Sequence, residues 1–112
     1  MPVKIAVLKE TRSHERRVAM VPAVADKLAK LGAQIHMQSG AGVAVKLADA
    51  AYKNVQLHPD PLEMVRHPDI VLSVQPPELP IAQAMKEGAI LISFVYANKE
   101  PELTRLLRER KI

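Results

Sequence analysis

Short β-branched runs alternate along this chain with segments that open on proline and often close on glycine, and this alternation narrows the possible folds more than any other feature. Proline is pre-set for the first helical position and glycine for the left-handed residue past the end, so the pair brackets a helix. After Pro22, the residues Val21, Val24, Ala25, Leu28 and Leu31 recur at helical spacing until Gly32. Asp60 precedes Pro61 with Glu63 three residues on, a capping pattern that Pro68 stops. Pro80 opens a segment over 81–87 closed by Gly88, and Pro101 opens one whose stripe is Leu103, Leu106 and Leu107. A further helix is expected over Lys46 to Lys53.

The intervening runs cover residues 3–8, 33–37, 55–57, 69–74 and 89–95. The last two are nearly continuous in apolar residues, the pattern of strands covered by helices on both faces. Five strands alternating with helices predict a three-layer α/β fold around a mostly parallel sheet, flavodoxin-like or a Rossmann-like half domain. A chain of 112 residues makes one small unit, and a domain of this size buries roughly 65% of its unfolded-chain surface. The last helix runs to about Arg110, where a further strand would begin, so residues 1–112 read as a single subdomain cut from something longer.

Composition removes several function classes. There is no cysteine, hence no disulfide framework, thiolate metal site or cysteine nucleophile. No apolar run approaches the ~18 residues of a membrane span, and the chain reads as soluble. The net charge of +4 invites a nucleic-acid reading. The basic residues are scattered among acids, however, and two Tyr and one Phe offer little for base stacking, so no nucleic-acid partner is expected. His14, His36, His58 and His67 are dispersed, without the helical pair or carboxylate spacing of a metal site. Gly40 and Gly42 suggest half a dinucleotide fingerprint, yet Val45 stands where a third small residue is required, and a glycine-rich turn explains them better. Ser73, Ser93 and Thr104 lack a nucleophile elbow.

The polar loop after the first strand, Lys9 to Arg17, holds most of the functional interest, because open α/β sheets bind ligands beyond the carboxyl ends of their strands. Parallel strands would bring Lys9, Arg17, Gln75 and Tyr96 to one edge. Arg17 could fork onto a carboxylate or phosphate; the plainer alternative pairs it with Glu10 or Glu15.

Val-Leu-Lys-Glu-Thr at 7–11, Glu-Arg-Arg-Val-Ala at 15–19, Val-Pro at 21–22 and Ser-Gly-Ala-Gly at 39–42 occur together with Asp69 to Pro77, Gly88 to Tyr96 and Pro101 to Leu103. In this combination they resemble the N-terminal domain of the alanine dehydrogenase and pyridine nucleotide transhydrogenase family over the whole chain. The dehydrogenase branch holds its keto acid with an Arg in the segment matching Arg17, a Lys in that matching Gln75 and a His in that matching Tyr96. Only the Arg is kept, and an amide and a phenol do not replace a gripping cation and a proton-transferring imidazole.

The wording at 92–96 and 100–103 is nearer the transhydrogenase α-subunit branch. That resemblance implies NAD(H) as cofactor and hydride exchange with NADP(H) on another component, coupled through a membrane component to proton movement. The partners implied are a downstream Rossmann domain and the NADP(H)-binding and membrane components. A homo-oligomer and a cytoplasmic, membrane-peripheral location are implied too. Arg17 is then the first candidate for a cleft-lining, cofactor-side residue, followed by Lys9, Gln75 and Tyr96. No catalytic residue and no metal ligand is expected, and the chain alone should be inactive. The alternatives are a divergent alanine dehydrogenase N-terminal domain and a free-standing non-catalytic α/β binding module.

Overall fold

The computed structural model describes residues 2–112. Five strands, β1 (Lys4–Val7), β2 (Gln34–Gln38), β3 (Val55–His58), β4 (Ile70–Leu72) and β5 (Ile90–Ile92), form one sheet in the order β3-β2-β1-β4-β5. Every neighbouring pair is parallel. Of the two arrangements predicted, this is the order of a Rossmann half domain. β1 has β2 on one side and β4 on the other, so the chain reverses its direction of travel there and a crevice opens between the ends of β1 and β4.

Residues of β1 divide the core. Ile5 and Val7 pack with Met20, Ala25, Ile35, Met37 and Tyr52 on the face that carries α1 (Pro22–Lys30). Ala6 and Leu8 pack with Met64, Val65, Val71 and Met85 on the other, where α2 (Pro61–Met64) and α3 (Leu79–Ala84) lie and α4 (Pro101–Glu109) packs against α3. This strict alternation follows from the two-residue period of a strand. The Asp60 cap is present, its Oδ1 accepting the Leu62 N–H at 2.9 Å.

Several expectations need correction. Residues 46–53 form no α-helix: two single 3₁₀ turns, Val43–Val45 and Asp49–Ala51, flank Lys46, whose φ of 63° breaks any continuous helix. α3 is shorter than the segment 81–87, because Met85 turns extended to bury its side chain while its carbonyl accepts from Arg110. On α1 only Ala25 is buried, and Val21, Val24 and Leu31 are exposed. That helix packs chiefly on β2 and covers a line narrower than its apolar stripe.

β5 is not covered on both faces. Ile90 and Ile92 are each 55% exposed and Phe94 57%. A continuous apolar run has the same pattern whether its second face is covered within the chain or left open, so periodicity alone could not separate the two. Among the described residues no helix lies over the α1-side face of β4 and β5.

The glycine-rich turn after β2 is anchored at both ends. Gly40 adopts φ +81° and donates its N–H to Asp49, while the Tyr52 hydroxyl donates to the Met20 carbonyl at 2.7 Å. A Cβ on Gly42 would stand 2.7 Å from the Leu47 carbonyl oxygen, a backbone atom that cannot swing aside. Gly42→Ala should therefore cost about 1–3 kcal/mol in chemical denaturation; an unchanged midpoint would contradict this packing.

His36 and His58, expected to be dispersed, meet one diagonal step apart on β2 and β3 with His36 Nδ1 2.8 Å from His58 Nε2. Only one proton fits between them. Partial burial, the neighbouring His58 and Lys4 together lower the His36 pKa from the ordinary 6.5. The unfolded chain therefore binds more protons than the fold just below pH 6.5, so this contribution is complete above that value and lost as pH falls. The urea midpoint should drop between about pH 7.5 and 5, and drop less in His36→Gln. Equal slopes in the two proteins would remove His36 from the account.

Candidate functional site

The site grows from the loop that follows β1. After Leu8 the chain leaves the sheet at the carboxyl end, and its two acids turn back across the switch point toward β4. Both Glu10 oxygens are used: Oε2 accepts the Val74 N–H at 2.9 Å and Oε1 the Gln75 N–H at 2.8 Å. These carboxylate bonds hold the two amides beyond the last residue of β4, which explains why the strand is shorter than the apolar run 69–74. Ser73 Oγ donates to the Gln75 carbonyl and fixes the same bend.

Glu15 is the centre of the second contact. Its side chain is only 7% exposed. Arg17 grips it with a two-pronged fork, Nε to Oε2 and Nη2 to Oε1, both at 2.8 Å, and the Arg17 backbone N–H adds a third bond to Oε2. Gln75 Nε2 donates to Oε1 at 2.7 Å. Hydrogen bonds from Arg17 and from Gln75 hold the Glu15 carboxyl far below the ordinary carboxylate range. The same pairing raises the Arg17 guanidinium above its ordinary value, with a smaller contribution from Tyr96.

Arg17 therefore takes the plainer of its two predicted roles, as the partner of Glu15, without being used up. A guanidinium has five N–H donors; two go to Glu15, and the side chain remains 62% exposed. Gln75 is joined to Arg17 through the single oxygen Glu15 Oε1. Lys9 shares a hollow of about 220 Å³ with Arg17, Arg16, Glu15 and Gly40, its ammonium lying over Gly40 on the β2 side. Tyr96 stands apart. It takes a left-handed φ of 53°, stacks on Phe94 at 6.1 Å between ring centres and lines a separate hollow with Ala97, Asn98 and Lys99.

Beside Arg17 runs a concavity of about 500 Å³ along the uncovered face of β4 and β5. Val18, Ala19, Leu72, Val74, Ile92 and Phe94 give it an apolar floor, with Arg17, Ser73 and Ser93 as polar groups. A flat apolar ring with one polar substituent suits such a groove. Sequence reasoning named Glu10 and Glu15 only as ion-pair partners. The signal for more was present: two acids in a loop that must cross the strand order face backbone amides at the end of β4.

Comparison with known proteins agrees with this geometry. The alanine dehydrogenase/PNT N-terminal domain family matches residues 6–112. The NAD(P) transhydrogenase subunit alpha of Cereibacter sphaeroides is 34% identical over 110 residues, which are 96% of this chain and 21% of that protein. The alanine dehydrogenase of Methanococcus maripaludis is 28% identical over 110 residues, 96% of this chain and 30% of that protein. The crystal structure of transhydrogenase from Sinorhizobium meliloti shares the fold with a TM-score of 0.87 at 21% identity, covering 96% of this chain and 32% of that one. The chain thus spans a fifth to a third of the length of these relatives. With family motifs running from the first strand to the last helix and a switch-point cleft at the carboxyl ends, the chain belongs to the alanine dehydrogenase/PNT N-terminal domain family.

Proposed function

We propose that this chain forms one wall of the NAD(H) cleft of a transhydrogenase-type oxidoreductase, and that hydride transfer with NADP(H) requires a downstream dinucleotide-binding domain together with NADP(H)-binding and membrane components. The observation that carries this reading is the Arg17–Glu15–Gln75 cluster. It keeps a guanidinium at the cleft but presents an amide where a keto-acid site needs a second cation. Tyr96 brings a phenol where proton transfer at neutral pH calls for an imidazole. These two features favour the transhydrogenase branch over pyruvate amination.

On this reading the wall contributes orientation and water exclusion near the nicotinamide, and the remaining contacts to the dinucleotide come from the second domain. Arg17, Gln75, Lys9 and Tyr96 are the proposed cofactor-side residues. The uncovered face of β4 and β5 is where partner surface is needed. No helix among the described residues is long and apolar enough to cross a membrane, and membrane association is proposed to come through partner subunits.

Two measurements test the proposal. Mixed with NADH and an NADP⁺ analogue, the isolated chain should give no hydride transfer; turnover would place the whole reaction in this one wall and overturn the proposal. Millimolar NADH should shift backbone amide signals in the loop 9–17 and at residues 73–75, and shifts confined to the opposite end of the sheet would contradict it.

A further inference from the structure

Three consecutive residues of the loop after β1 bond three separate places downstream. Glu10 accepts the amides beyond β4, Thr11 Oγ1 donates to Glu78 Oε1 at 3.0 Å, and Arg12 Nη2 lies 2.6 Å from Glu100 Oε1. Glu78 and Glu100 stand at the N-caps of α3 and α4, yet neither carboxylate caps its own helix. Both engage the loop instead. The Arg12 carbonyl also accepts the Glu15 N–H at 3.1 Å. Arg12 is thus tied by its backbone to the turn that carries Glu15 and by its side chain to the start of α4.

Glu100 closes the turn that follows Phe94. The Tyr96 carbonyl accepts the Lys99 N–H at 2.7 Å and the Glu100 N–H at 3.1 Å. Tyr96 itself has a φ of 53°, a region disfavoured for a residue with a Cβ, which persists only where the surroundings hold it. Its ring gives little hold, since it is half exposed and stacks on Phe94, which is more exposed still. Among the described residues, Arg12 is the one side chain from outside 93–104 that forms an ion pair or hydrogen bond with residues 94–100. We infer that Arg12 is a positioning residue: through Glu100 it holds the 96–100 turn, and so the Tyr96 ring against Phe94 in the groove over β4 and β5. One loop then governs two residues that line that groove, Arg17 through Glu15 and Phe94 through Arg12, Glu100 and Tyr96.

Amide hydrogen exchange and ring-to-ring NOEs of the chain, at neutral pH and low salt, read this hold directly. Arg12→Ala and Glu100→Gln should each speed exchange of the Lys99 and Glu100 amides by about two- to fivefold, the range an exposed ion pair supports. Each should also weaken the NOE between Phe94 and Tyr96, a signal of the folded state that a change in overall stability does not move. The double variant should go no further than the single ones, because all three lack the same pair. Arg12→Lys keeps the charge and should stay near the wild type. Salt at about 1 M should bring the wild type toward the variants and leave the variants unmoved. The Gly40 amide, bonded to Asp49 in a turn the pair does not touch, should keep its rate throughout.

Unchanged exchange at Lys99 and Glu100 with an unchanged ring contact in Arg12→Ala would overturn the inference. Arg12→Lys behaving as Arg12→Ala would do the same, as would an equal acceleration at Gly40. If Arg12→Ala does not fold, Glu100→Gln, which keeps the side-chain volume, carries the same test.

Discussion

Two carboxylates in the loop after β1 tie the two sides of the switch point together, and the rest of the cleft depends on them. In a parallel sheet the ends of β1 and β4 are held side by side only as far as the ladder runs. Beyond Leu72 the ladder stops and Glu10 takes over, accepting the amides of Val74 and Gln75. Glu15 then bonds the Gln75 side chain from the other direction and holds Arg17 in a fixed fork. Charge-assisted bonds of this kind are stronger than neutral ones and directional. A polar loop that sequence alone would leave as solvated charge becomes an ordered wall.

The same sheet is finished on one face and open on the other. On the α2 and α3 side, Ala6, Leu8 and Val71 are buried. On the α1 side the cover reaches β1 and β2, and Ile90, Ile92 and Phe94 stay more than half exposed along the edge strand. An apolar surface contiguous with a cleft marks a place where more protein or a ligand belongs. The relatives that share this family are three to five times longer than the part matched here. The open face and the ordered cleft are adjacent because both border β4, the first strand the chain reaches after it reverses direction.

Much of the fold was legible in residue pattern. Proline at the start of α1, α2 and α4 and the alternation within 3–8 placed elements within a residue or two of where they lie. The errors have physical causes. Residues 46–53 have helical composition, but Lys46 in the left-handed region and the anchored Tyr52 hydroxyl force two tight turns. The run at 89–95 looks fully buried because an apolar strand carries no mark of which face is occupied. The candidate residues behaved similarly. Arg17 and Gln75 were placed at one edge by topology alone, while Glu15, which joins them, was visible only as a neighbouring charge. Long-range hydrogen bonds across 60 residues leave no local trace in a sequence. His36 and His58 met for the same reason, through strand register rather than spacing.

The state of the Glu15 carboxyl tests this account most directly. Its ¹³C shift, followed against pH in the folded protein, should stay at the ionised value through and well below the ordinary carboxylate pKa of 4.5, because Arg17 and Gln75 both bond the charged form. A carboxyl that titrates near 4.5 would mean that Glu15 is solvated, that Arg17 and Gln75 are not held together, and that the cleft lacks the wall described here.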